Sequence, residues 1–166
     1  MTLLFLMLLL VAPYLMLTLL GRWIPRMKMA PSKRAKVGLS LFFVVTALAH
    51  FNTTEEMAEM IPSSVPYRVE LIYVTGILEL LGAIGVWIPR FERLTGLLLI
   101  VMLIGLLPAN VYSAINRVEY GGHGAGPIYL LARVPFQLFV IWWTYFATEQ
   151  DWFRRQVRPA AGRVAM

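Results

Sequence analysis

Val69–Ile88 reads Val-Glu-Leu-Ile-Tyr-Val-Thr-Gly-Ile-Leu-Glu-Leu-Leu-Gly-Ala-Ile-Gly-Val-Trp-Ile, with Glu79 in its middle. Twenty residues is the length a helix needs to cross a hydrocarbon core about 30 Å thick. An ionised side chain at membrane depth costs about 2.5–3.5 kcal/mol on insertion scales, so it is tolerated where it faces protein and finds a partner. A second apolar stretch, Ile128–Ala147, carries the complementary charge, Arg133. One acid and one base in different segments neutralise each other, and the pair points to an all-α membrane bundle with a polar interior.

Composition agrees. Of 166 residues, 59% are hydrophobic and 14% charged, and mean hydropathy is +0.69, whereas soluble domains carry about 25% charged residues. The net charge of +6 lies in short basic runs beside apolar segments, which encodes topology. No basic groove interleaved with aromatics is present, so nucleic acid is not an expected partner. The chain has no cysteine, which removes disulfides, thiol redox chemistry, iron–sulfur ligation and zinc–thiolate sites.

Five apolar segments are expected to span the bilayer: Thr2–Leu20, Val37–Phe51, Val69–Ile88, Leu94–Ile115 and Ile128–Ala147. The second is short, and Ala35, Lys36 and Asn52 extend it with snorkelling ends. No positive charge precedes the first segment and no small-x-small site follows it, which favours a retained span over a cleaved signal peptide. Arg22, Arg26, Lys28, Lys33, Arg34 and Lys36 lie between the first two spans, Arg90 and Arg93 between the third and fourth, and Arg154, Arg155, Arg158 and Arg163 in the tail. Glu55, Glu56 and Glu59, and Arg117 with Glu119, occupy the alternate loops. The positive-inside rule then places the N-terminus outside and the C-terminus inside. Trp23, Trp87, Trp142, Trp143, Tyr145 and Trp152 form the expected inner aromatic belt. Asn52–Tyr67 is expected to form partly ordered turns, Gly121–Pro127 a flexible outer loop with a solvated His123, and the end after about Arg158 a disordered tail.

Depth along each helix gathers the polar residues. Glu79 falls about 16 Å from the outer face, and Arg133 and Asn110 about 9 Å, at 1.5 Å per residue. His50 closes the second span near that face, and Gln137 lies one turn after Arg133. His50, Glu79, Asn110, Arg133 and Gln137 therefore form the candidate ligand-binding or buried polar cluster, drawn from four helices. Pro108 and Pro135 break helices beside it, leaving the carbonyls near Ile104 and Leu131 without their usual donors. Gly76, Gly82, Ala83 and Gly85 permit close helix approach, and Thr75, Glu79 and Gly82 share a face. The same cluster also fits a purely structural role, a buried Glu79–Arg133 pair fixing register with Asn110 and Gln137 as interhelical glue. Two histidines without cysteine give a metal or haem site little support, so no metal ligands are assigned.

The last four spans resemble the DoxX-like family of small membrane proteins. The resemblance rests on Ala49-His50-Phe51 with Met60-Ile61-Pro62, on Thr75–Gly85 with Pro89-Arg90, on Pro108-Ala109-Asn110, and on Leu131–Gln137 with Trp142 or Trp143. It implies a four-helix DoxX-like bundle over residues 31–150, preceded by an extra transmembrane helix and basic cytoplasmic loop (1–30) and followed by a basic tail (151–166). It also implies a link to respiratory or redox chemistry, since the family takes its name from a subunit associated with a quinol oxidase and thiosulfate:quinone oxidoreductase, while distant relatives are membrane chaperones. The expected protein is a subunit or accessory component of a membrane oxidoreductase in a bacterial plasma membrane. Its cluster would bind a quinone, with Arg133, Gln137 and His50 donating to a carbonyl oxygen and Glu79 exchanging protons. A non-catalytic assembly scaffold is the alternative, and a small-molecule carrier, which usually shows paired repeats absent here, ranks last.

Overall fold

A computed structural model describes residues 3–157. The expected disordered tail, with Arg158 and Arg163, lies outside the described residues, as do the side chains of Trp152, Arg154 and Arg155. The described chain is helical, with no strand: α1 (Leu3–Trp23), a 3-10 turn (Pro25–Met27), α2 (Pro31–Asn52), α3 (Thr54–Ala58), α4 (Arg68–Gly85), α5 (Glu92–Ile115), a second 3-10 segment (His123–Tyr129) and α6 (Leu130–Val157).

Four helical stretches are long and apolar enough to cross a membrane: Leu3–Trp23, Pro31–Asn52, Glu92–Ile115 and His123–Glu149. This is consistent with an integral membrane protein. The Val69–Ile88 segment is not among them, because α4 is 18 residues long and includes Arg68, Glu70 and Glu79. Pro31 starts α2 at its first position, where its fixed φ suits a helix and its missing N–H costs nothing. That start lies six residues before the expected Val37 and brings Lys36 inside the helix. Lys36 does not snorkel: it is 4% exposed and its Nζ lies 2.6 Å from Glu92 Oε1.

The α2 helix is the hub, packing against α1, α4 and α6, while α5 packs chiefly on α6 and only lightly on α4. Two glycines set its closest contacts. A methyl at Gly38 would strike the Leu10 carbonyl of α1, and one at Gly76 would lie 2.8 Å from His50 Cβ. Leu10, Leu39, Phe42, Phe43, Phe136 and Val140 fill the core between α1, α2 and α6. Trp143 is buried there rather than at an interfacial belt, donating from Nε1 to the Ala35 carbonyl at 3.1 Å. Lower on the α2–α4 seam, Ser40 Oγ donates to Ala83 O at 2.9 Å and accepts from Trp87 Nε1 at 2.8 Å. The outer faces stay apolar: Leu19 on α1, Leu48 on α2, Leu81 and Ile84 on α4, Val101 on α5 and Leu138 on α6 are all exposed.

Gly76→Val is expected to wedge α4 off α2 and cost about 1–3 kcal/mol, the usual scale of overpacking. Gly105, with nothing within 4 Å of an added Cβ, provides the control: Gly105→Ala should leave stability unchanged or raise it by about 0.5–1 kcal/mol. Unfolding midpoints in detergent test this, and equal midpoints for both variants would contradict the close-contact assignment.

Candidate polar site in the bundle

The site forms where α2 ends against α4. His50, 7% exposed, directs Nδ1 to the Ile72 carbonyl and to Thr75 Oγ1, each at 3.1 Å. A carbonyl only accepts, so Nδ1 carries the hydrogen and Nε2 is the nitrogen presented to Glu79. Nε2 lies 3.6 Å from Glu79 Oε1, an ion-pair separation too long for a hydrogen bond. Glu79 is 4% exposed, and its Oε2 is buried without a hydrogen-bond partner. Thr54 Oγ1 donates to His50 O at 2.6 Å and closes the end of α2.

Asn110, Gln137 and Arg133 make a second group, between α5 and α6. Asn110 Nδ2 donates to Leu106 O and to Gln137 Oε1, both at 3.1 Å. Asn110 Oδ1 accepts from Arg133 Nε at 3.3 Å and Nη2 at 3.2 Å. Gln137 Nε2 donates to Leu103 O. The amides thus serve carbonyls on either side of Ile104, the position Pro108 deprives of a donor, rather than Ile104 itself.

The expected direct Glu79–Arg133 pair is not formed. No ion pair joins them among the described residues, because the backbones of α4 and α6 do not approach each other closely. Glu79 meets His50 on the intervening α2 instead, and Arg133 takes Asn110, with Glu79, Tyr120 and Tyr129 within electrostatic reach.

Between the two groups lies a partly open cavity of about 110 Å³, lined by His50, Tyr120, His123, Tyr129 and Arg133, with Leu3 and Leu6 from α1. Gln137, Asn110 and Glu79 do not line it. The Gly-rich stretch that forms its cap is ordered rather than a flexible loop, and His123 is 3% exposed rather than solvated. Its Nδ1 faces Tyr120 O at 2.8 Å and so carries the hydrogen. Its ring meets Tyr129 edge-on at 4.8 Å, and its Nε2 is buried with no hydrogen-bond partner. Tyr129 Oη donates to Gly121 O at 2.6 Å. Thr53 Oγ1 donates to Ala49 O at 2.8 Å, so the Tyr120 hydroxyl, 2.8 Å away, donates to it. Gly122 and Gly126 hold φ of 103° and 76°, a left-handed region open to glycine, which lets this cap fold over the cavity. The three glycines flanking His123 were the available signal that its backbone is shaped rather than loose.

A second buried polar layer occupies the opposite end. Besides Lys36–Glu92, Arg93 Nε lies 3.3 Å from Glu149 Oε1, and Glu149, Thr144 and Thr148 are buried. Sequence reasoning placed Lys36 at a snorkelling span end and Arg93 in a loop, singled out neither Glu92 nor Glu149, and did not find the layer.

Residues 39–148 match the family described as a domain of unknown function (DUF8561), and the chain belongs to that family. No curated protein and no solved structure matches the chain.

The two groups should respond differently to mutation. Asn110→Leu removes the acceptor of the half-buried Arg133, at about 1.5–3 kcal/mol for a hydrogen bond to a charge. Glu79→Gln removes no hydrogen bond and should cost less, about 1 kcal/mol, the usual scale of a single substitution. Denaturation of both variants in the same detergent checks the contrast. A larger loss for Glu79→Gln would mean that the His50–Glu79 contact, not Asn110, secures the bundle.

Proposed function

We propose that the chain binds a small lipophilic carbonyl or hydroxyl compound of the quinone class in the cavity beneath Arg133, as an accessory component of a membrane oxidoreductase. The observation that carries this reading is the pairing, in one largely apolar cavity, of a fixed guanidinium with a buried acceptor that lacks a partner. Arg133 uses Nε and Nη2 on Asn110, so Nη1 remains to donate to a ligand carbonyl. His123, whose Nδ1 hydrogen goes to Tyr120 O, offers Nε2 to a ligand hydroxyl. Buried polar groups are nearly always satisfied, and a ligand with one acceptor and one donor edge satisfies both. His50 lines the cavity with its ring, but its Nδ1 is turned to the Ile72 carbonyl and its Nε2 faces Glu79, so it offers neither nitrogen to a ligand there. At about 110 Å³ the space is smaller than the engineered cavity of about 150 Å³ that takes benzene. It therefore suits the polar edge of one ring, with the apolar remainder passing Leu3 and Leu6.

Five spans with the N-terminus outside belong to the same proposal. In its support, α4 covers about 27 Å at 1.5 Å per residue, its charges other than Glu79 sit in its first turn, and Leu78, Leu81 and Ile84 face outward as lipid-contacting residues would. The resemblance to DoxX-like proteins supports the redox association. A membrane scaffold is the second reading, favoured by the fully paired amides of Asn110 and Gln137.

A short-tailed ubiquinone analogue added to the detergent-purified protein tests the proposal. At 100 times its Kd it should stabilise the fold by about 2.7 kcal/mol, and Arg133→Gln or His123→Phe should remove most of that gain. No stabilisation of the unmodified protein, or equal stabilisation of both variants, would refute quinone binding and leave the scaffold.

A further inference from the structure

We infer that the α1–α2 corner holds an anion-binding pocket for a phosphate group, of the kind carried by an anionic phospholipid. A cavity of about 560 Å³ opens there, lined by Thr18, Arg22, Lys28, Pro31 and Arg34, with no acidic residue in its wall. None of the three cations has an ion pair among the described residues. Three positive side chains around one space repel each other unless an anion joins them.

Arg34 is built into this wall rather than waving from it. Its Nη1 donates to Thr18 Oγ1 at 2.6 Å. Thr18 in turn donates to Tyr14 O at 2.6 Å, so its hydroxyl is fixed as the acceptor. The guanidinium lies 5.2 Å from the centre of the Tyr14 ring. With that edge fastened, Nε remains buried and without a hydrogen-bond partner. A guanidinium held on one side presents its remaining donors in a planar fork that suits phosphate oxygens. The start of α2 adds a weaker contribution: Ala30 supplies no side-chain cap, and Pro31 borders the cavity, so the positive end of that helix dipole opens beside it.

The position fits a phospholipid. The pocket lies at the ends of two membrane-length helices, beside Trp23, which is 83% exposed as an interfacial tryptophan is. Basic pockets between membrane helices take anionic headgroups.

Native mass spectrometry after reconstitution in nanodiscs of equal phosphatidylglycerol and phosphatidylcholine reads the site directly. One phosphatidylglycerol should be retained per chain. Its retention should fall about fivefold for each cation removed, in Arg34→Gln and in the exposed double variant Arg22→Gln, Lys28→Gln. Lys33→Gln, exposed in the same region but outside the cavity wall, should retain lipid as the unmodified chain does. If lipid shows no preference but millimolar inorganic phosphate raises the unfolding temperature of the unmodified chain and not of Arg22→Gln, Lys28→Gln, the site stands with free phosphate as its source. Absence of both effects, or an equal loss in Lys33→Gln, overturns the inference.

Discussion

The approach of α4 to α2 at Gly76 governs most of the helix packing in this molecule. With no side chain there, the His50 Cβ occupies the space a methyl would need. The imidazole is then carried between Ile72, one turn earlier on α4, and Glu79, one turn later. The same seam continues through Ser40, Ala83 and Trp87, so the two helices are fixed in register over most of the length of α4. The α2 helix passes this order on, to α1 where Gly38 meets Leu10 and to α6 where Ala35 accepts from Trp143. A fold organised around one central helix lets α4 and α6 remain apart, which is why the carboxylate and the guanidinium never meet.

Polar groups inside such a bundle need internal partners, because a hydrocarbon surrounding supplies none. Two layers meet that demand in different ways. The layer at Lys36, Glu92, Arg93 and Glu149 uses ion pairs that link α2 to α5 and α5 to α6. The buried Lys36–Glu92 pair gives little net stability against an apolar replacement, but strands a charge when one partner is lost, while half-exposed Arg93 keeps its pair with Glu149 partly solvated; register is the property both supply. The layer at the other end relies on amides and carbonyls, with Asn110 bridging Arg133 and Gln137.

The membrane-length helices were legible in the sequence because length and hydropathy alone define them, and the residues of the polar cluster were legible because a charge or amide is costly in such a segment. Partner identity was not. Charge alone matched Glu79 to Arg133, but contacts depend on which helices adjoin, and no local pattern encodes that α2 lies between α4 and α6. Lys36 looked like the snorkelling end of a short span, because its acid, Glu92, is distant in sequence. His123 looked solvated because glycine-rich stretches usually are; here positive φ at Gly122 and Gly126 turns the chain inward, and the burial results from that geometry. Trp143 looked interfacial beside Trp142, yet adjacent helical residues face about 100° apart, and only Trp142 remains exposed.

The difference between the satisfied and unsatisfied halves of the cluster bears on why it exists. A purely structural cluster gains from pairing each of its buried atoms, since every unpaired one costs about 1–3 kcal/mol. Asn110 and Gln137 follow that rule, with their amides committed to neighbouring carbonyls and to each other. Glu79 Oε2 and His123 Nε2 do not. His123 borders the cavity with Arg133, and Glu79 sits behind His50, which borders it too. Scaffolding accounts for the first pair of residues and leaves the second pair as two uncompensated costs. A ligand of the proposed kind would compensate His123, which borders the cavity, whereas Glu79 lies behind His50 and its open oxygen is a separate cost.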